Sequence, residues 1–286
     1  MNVYEVITEK IMADLKKGEI PWRKSWASLG APRSWNTSRE YTGVNLWLLN
    51  PGAEYATIKQ ISEAGGKVKK GSKAKIVVFM KRYEKKTKDV NGQETTENRF
   101  TLRYYHVFEV GVDTEGINPK RQTAIHNPDT NPIEAAEKLI AEYIGKPEII
   151  HGGDKAAYNP TFDIVKMPKI ESFCNTEEYY STLFHEYIHS TGHQSRLNRS
   201  GITQIAAFGS QTYSQEELIA EFGSAYLCEM AGISQPVIKN QTAYIQGWLK
   251  SFKDNAMIAV RAASAAQKAT NFIIGKKDSE ENEETE

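Results

Sequence analysis

Cysteine is nearly absent: Cys174 and Cys228 are the only two in 286 residues, far apart and with no C-x-x-C pair. That excludes a disulfide framework and reads as reduced thiols in a cytoplasmic protein. No apolar run approaches the roughly 18 residues of a membrane helix. The start, Met1-Asn2-Val3-Tyr4-Glu5, lacks the basic and apolar regions of a secretion signal. A membrane partner is therefore not expected. Net charge is missing too, since 36 Lys+Arg balance 36 Asp+Glu. Tryptophan is scarce, five in all, yet Trp22, Trp26, Trp35 and Trp47 fall within the first fifty residues.

The zero net charge hides an asymmetry. Residues 1–110 hold 20 Lys+Arg against 12 Asp+Glu, a net of +8, and the remainder holds 16 against 24, a net of −8. Such a split suggests that the basic half meets a polyanion. Cations interleaved with aromatics suit single-stranded nucleic acid, where phosphates find charge and bases find a ring to stack on. Candidate phosphate contacts are Lys24, Arg33, Arg39, Lys69, Lys70 and Lys73. Candidate stacking residues are Trp22, Trp35 and Tyr41. The competing reading is an aromatic core under a solvated basic surface.

The acidic half carries His185-Glu186-Tyr187-Ile188-His189. On a helix, H-E-x-x-H sets two imidazoles one turn apart on one face, the spacing at which both ring nitrogens bind one Zn²⁺. The intervening glutamate then sits where it can take a proton from a bound water, the chemistry of a metallopeptidase. The bland alternative is an amphipathic helix with two exposed histidines. Residues 177–184 lead into the motif with helical character, and Gly192 is a plausible stop.

A catalytic zinc usually takes a third protein ligand. Glu217 and Glu221 share a face of a helix expected from Ser214 to Met230. The run Glu217-Leu-Ile-Ala-Glu221 resembles the neprilysin and thermolysin type of zincin. There the first acid binds zinc and the second orients a ligand histidine. Ser214-x-x-Glu217 also reads as a capping box, and Glu221 then becomes the ligand. His193, four residues past His189, reads as a pocket residue because Gly192 ends the helix first. His106 reads as a half-buried sheet histidine.

The rest of the pattern is α+β. A stripe of Val3, Ile7, Ile11 and Leu15 predicts a first helix ending near Gly18, and a short helix covers Ala56 to Ala64. A strand from Lys75 to Tyr83 leads through the Asn91-Gly92 turn to a second strand around Phe100–Val110. Residues 1–115 form one domain and 116–132 a linker. Residues 133–275 form the second domain, with a helix from Ile133, short strands at 157–158 and 163–168, and a last helix from Thr242 to Ala269. The strands offer an edge beside the site for a substrate backbone. Residues 276–286 are an acidic tail expected to be disordered.

Taken together, the motifs resemble the ArdC antirestriction family. The N-terminal match comprises Gly18-x-Ile20-Pro21-Trp22-x-x-x-Trp26, Tyr41-x-Gly43-Val44-Asn45, Lys70-Gly71-x-Lys73 and Tyr105-x-Val107-Phe108. The C-terminal match comprises Tyr180-x-Thr182-Leu183-Phe184-His185-Glu186, Thr191-Gly192-His193 and Glu216-Glu217-Leu218-x-Ala220-Glu221. Roughly residues 3–272 are covered. The resemblance implies an N-terminal domain that binds single-stranded DNA and a mainly helical, zincin-like metallopeptidase domain. It also implies a role in protecting incoming plasmid or phage DNA from host restriction. On that reading His185, His189 and Glu217 hold Zn²⁺, with Mn²⁺ as the alternative, and Glu186 is the catalytic base. A restriction-enzyme subunit is the candidate protein target. The rival function is a non-catalytic DNA shield with a structural or vestigial metal site.

Overall fold

The computed structural model describes residues 2–23, 30–88, 94–121, 131–204, 211–233 and 241–276. Lys24, Trp26, the Asn91-Gly92 turn and residues 277–286 of the expected tail lie outside the described residues.

Helix α1 (Val3–Lys16) opens with a capping box between Asn2 and Glu5 and buries Ile7, Thr8, Ile11 and Leu15, a stripe with helical period. There follow β1 (Arg33–Ser34), α2 (Asn45–Leu48), β2 (Glu54–Ala56) and α3 (Ile58–Glu63), the last capped by Thr57 and Gln60. Then come β3 (Lys67–Val68), β4 (Lys75–Lys88), β5 (Glu94–Glu109) and β6 (Thr114–Glu115). The main sheet runs β1-β2-β5-β4, and β3 pairs with β6. Strand β4 extends past the expected Tyr83, because its pairing with β5 continues unbroken from Lys75↔Val107 to Lys88↔Glu94.

His106 is not half-buried. It is exposed, its ring edge-on to Tyr104, and Val107 takes the buried position. The alternation differs because both faces of the hairpin base are covered. Val107 belongs to the large core, while Phe108 and Val110 face a small cluster with Ala56, Ile61 and Ile117.

That cluster also holds down the first residues of the expected linker. Trp35 Nε1 donates to the Asn118 carbonyl at 2.9 Å. The buried Glu54 carboxylate accepts from Arg33 Nε at 2.7 Å and from the backbone amides of Lys120 and Arg121. Burial alone would raise the Glu54 pKa. The Lys120 amide, Arg33 and the Arg121 amide together hold it below the ordinary value. A depressed acid contributes stability that is complete above its unfolded pKa of roughly 4.3 and is lost as pH falls through the lower folded value. Glu54→Gln is expected to cost about 1–3 kcal/mol at pH 7 and to flatten the loss of stability below about pH 4.3. Urea melts from pH 3 to 7 check this, and parallel acid limbs for both proteins contradict it.

The second half contains α4 (Pro132–Glu142), β7 (Glu148–His151), β8 (Ala157–Asn159), β9 (Ile164–Met167), α5 (Thr176–Ser190) and α6 (Ser200–Thr203). It ends with α7 (Gln211–Ala231), α8 (Gln241–Asp254) and α9 (Ile258–Ile273). Its sheet runs β7-β9-β8, which leaves β8 as an edge next to α5. The single helix expected from Thr242 to Ala269 is two. Asn255 Oδ1 accepts from Met257 N at 3.0 Å, a local turn that competes with helix. The neighbouring Ala256 carbonyl is claimed by Thr8 Oγ1 of α1 at 2.6 Å.

The two halves share one hydrophobic cluster. Trp22 and Trp47 meet Phe222 of α7 with ring centroids 4.9 and 4.3 Å apart, and Trp22 also reaches Phe252 of α8. Trp22, expected as a stacking residue for DNA, is only 3% exposed and presents no face to a base. Among the described residues, no helix is long and apolar enough to cross a membrane.

Candidate metal centre

Helix α5 is fastened at both ends. Asn175 accepts from Glu178 N at 2.8 Å at its start. At its end the carbonyls of Ile188 and Ser190 accept from Arg199 Nη2 and Arg196 Nε, each at 2.8 Å. Cations at a helix C-terminus satisfy orphan carbonyls and complement the helix dipole. Between these fastenings His185, Glu186 and His189 face inward across successive turns.

Helix α7 lies tightly against α5. A Cβ on Gly223 would sit 2.5 Å from Ile188 Cδ1, closer than packed atoms come, so the contact requires glycine. Ser224 Oγ adds a 3.0 Å hydrogen bond to the Ser181 carbonyl. This approach delivers Glu217 to the histidines. His185 Nε2 and His189 Nε2 are 3.2 Å apart, and each lies 3.7 Å from a Glu217 oxygen. Four-coordinate Zn²⁺ with bonds of 2.0–2.1 Å sets its ligand atoms about 3.3 Å apart. The spacing of the three donors therefore fits one cation, and His185, His189 and Glu217 group as a possible metal site.

Gly223→Ala is expected to wedge α7 away from α5. The added methyl should cost about 1–3 kcal/mol and weaken divalent-metal binding about tenfold, as outer supports of metal sites do. Thermal melts and metal titration read both effects. Unchanged affinity would show that the close approach does not set the cluster.

Glu216, present in the C-terminal motif but given no role there, is the acid beneath His189. It is buried, 3.4 Å from His189 Nδ1, and receives Arg199 Nη2 at 2.6 Å and Nε at 3.1 Å. Burial acts to raise its pKa, but His189 and Arg199 hold it below the ordinary carboxylate value. A carboxylate at Nδ1 places the ring proton there and turns the Nε2 lone pair toward a metal. Glu221, expected either in that supporting role or as third ligand, lies outside the cluster. Its Oε2 is 3.3 Å from Arg23 Nη2, and its charge helps to raise the pKa of His185. Burial opposes that rise, and the nearby Glu217 carboxylate is the strongest contribution in its favour. Helix α7 begins at Gln211, which places Ser214 inside the helix and not at the N-cap position the capping box assigns to it. The motif that contains Glu216 does not reveal its role, because its partner Arg199 arrives from a separate turn.

Glu186 is buried, and its Oε2 accepts from the Tyr158 amide of edge strand β8 at 2.7 Å. Tyr158 is itself tied to Asp163, which pairs with Arg196. His193 sits beyond the helix end, its Nδ1 2.8 Å from Ser195 Oγ, and does not join the cluster.

The candidate DNA residues divide. Arg33 is committed to Glu54, and Lys69 Nζ donates to the Val112 carbonyl at 2.8 Å. The Lys120 ammonium covers Trp35 at 4.1 Å from its ring centre. Tyr41 is half-buried, edge-on to Tyr55. Arg39, Lys70 and Lys73 are exposed.

Residues 1–108 match the family model for the N-terminal domain of anti-restriction factor ArdC, and residues 134–265 match a zincin-like metallopeptidase model. The fold is similar to the crystal structure of the antirestriction ArdC protein from the R388 plasmid in metal-free form. That match has a TM-score of 0.72 and 30% identity, covering 96% of this chain and 97% of that one. The Mn(II)-bound structure of that protein gives a TM-score of 0.70 at 29% identity, with the same coverage. The uncharacterized protein y4eC of Sinorhizobium fredii (strain NBRC 101917 / NGR234) is 30% identical over 99% of this chain and 95% of its own length. A DNA primase TraC of Escherichia coli is 31% identical over 95% of this chain, which spans only 20% of the primase.

Proposed function

The chain belongs to the ArdC antirestriction family and carries that family's zincin-like domain, and from this premise we propose a two-part function. The N-terminal half binds single-stranded DNA arriving on a plasmid or phage. The second half is a divalent-metal peptidase that acts on a protein of the host restriction system, in the cytoplasm. The observation that carries the reading is the convergence of His185, His189 and Glu217 beside the buried Glu186.

Two imidazoles and a carboxylate are a donor set suited to Zn²⁺. Mn²⁺ is the alternative, supported by the Mn(II)-bound ArdC protein from R388. When bound, the cation supplies a Lewis acid that polarises a scissile carbonyl and acidifies water. The chain's own residues supply the remainder. Strand β8, the edge of its sheet next to α5, lies where an extended peptide backbone would pass the site. The Tyr158 amide holds Glu186 Oε2 in place, so that Oε1 takes a proton from the attacking water and returns it to the departing amine. Glu216 and Arg199 keep His189 in its metal-binding tautomer. Arg39, Lys70 and Lys73 are the exposed cations of the expected phosphate surface.

A second reading, a DNA shield with a purely structural cation, draws on the same geometry, since Glu217 joins α7 to α5. Metal binding itself is tested first. Saturating Zn²⁺ or Mn²⁺ at about a thousand times Kd should stabilise the fold by about 4 kcal/mol, a melting shift on the order of 10 °C. Glu217→Ala should show little of that shift. Identical melting of the wild type with and without divalent metal would contradict both readings.

A further inference from the structure

Most aromatic and basic residues that sequence pattern assigns to DNA are used internally, which leaves the question of where bases stack. The long β4–β5 hairpin offers a different surface. Its register places Phe79, Lys81 and Tyr83 of β4 on one face, opposite Arg103 and Thr101 of β5, with Tyr105 next along. Lys81 and Arg103 are exposed, and among the described residues neither makes an ion pair. Tyr83 is 43% exposed. Phe79 and Tyr105 stand with ring centroids 5.6 Å apart and planes tilted by 54°. Beyond the base of the hairpin, this face thus alternates ring and cation.

The charge is one-sided as well. Strand β4 contains Lys75, Lys81, Arg82, Lys85, Lys86 and Lys88 against Glu84 alone. It is also the edge of its sheet. Lysines on an edge strand discourage pairing with another chain, and that role would explain the charge. It does not explain a large aromatic ring kept in solvent next to Lys81 on the same face. A surface that combines stacking rings with cations is the chemistry of a single-strand platform.

We propose that this face of the β4–β5 hairpin, through Phe79, Lys81, Tyr83 and Arg103, is a stacking platform for single-stranded nucleic acid. Phe79 to Tyr83 spans roughly 13 Å of strand, the length of about four stacked nucleotides. Lys81 and Arg103 flank that path and meet phosphates, while Tyr83 takes a base. The inference rests on the reading that the N-terminal half binds single strands, and it names where.

The test uses the full chain with its divalent metal and a labelled 20-nucleotide oligo-dT, followed by fluorescence anisotropy across a salt series. Lys81→Glu with Arg103→Glu should weaken binding tenfold or more. It should also make the salt slope shallower by about 0.7 for each phosphate no longer neutralised. Tyr83→Ala should weaken binding about tenfold, and Tyr83→Trp should restore it. Lys81→Gln with Arg103→Gln gives the same comparison should the charge reversal unfold the hairpin, and an unchanged metal-induced melting shift reports an intact second half. A wild type that binds no oligo-dT overturns the DNA reading and the platform with it. Wild-type binding that none of these substitutions alters overturns the platform alone, leaving the edge-guard role for the lysines.

Discussion

Glu186→Gln is expected to keep its metal and lose turnover by about 10²- to 10⁴-fold, the usual contribution of a positioned general base. The argument is geometric. Glu186 provides none of the three clustered donors, so its loss leaves His185, His189 and Glu217 in place. Glutamine preserves shape and an oxygen that still accepts from the Tyr158 amide, but it cannot take up a proton. Metal affinity and the metal-induced melting shift should therefore match the wild type. Cleavage of a restriction-subunit substrate should collapse, with protection of incoming DNA measured in parallel. Loss of cleavage and protection together supports the peptidase reading. Protection that survives a catalytically dead site would assign the family's activity to DNA binding, with the metal as a brace between α5 and α7. Lost metal binding would mean that Glu186 belongs to the coordination set, contrary to the arrangement described.

Trp22→Ala should destabilise the whole molecule by about 3–5 kcal/mol, the range for truncating a buried aromatic. Trp22 is 3% exposed and packs on Trp47, Phe222 and Phe252. Those partners come from both halves, so the cavity opens in shared core. A single cooperative transition shifted to lower temperature is the expected result. A variant of wild-type stability with weakened DNA binding would return Trp22 to the surface role that composition suggested. Metal affinity should also fall, because Phe222 adjoins Glu221 and Gly223 on the helix that carries Glu217.

How much of this was legible in sequence depended on how local each signal was. The H-E-x-x-H helix was readable because its ligands lie within one turn of each other, and the α1 stripe because a 3.6-residue period needs no partner. Glu217 and Glu221 stayed undecided because four residues apart on a helix they share a face. Which of them stands beside the imidazoles follows from how α7 crosses α5 at Gly223 and Ile188. The role of Glu216 was invisible because its partners His189 and Arg199 come from other segments. Trp22 sat in a basic, aromatic-rich stretch that looks the same whether its rings meet bases or a core. Phe222 lies 200 positions further along the chain.

The amino-acid order by itself determined the two-part α+β plan, the charge split, and the pair of imidazoles one turn apart, since each depends on period and composition alone. The tertiary structure decided which acid stands beside the two imidazoles, the acid under His189, the burial of Trp22 and the hairpin face left open to solvent. Each of those is a meeting of side chains from distant segments, and only packing brings such segments together.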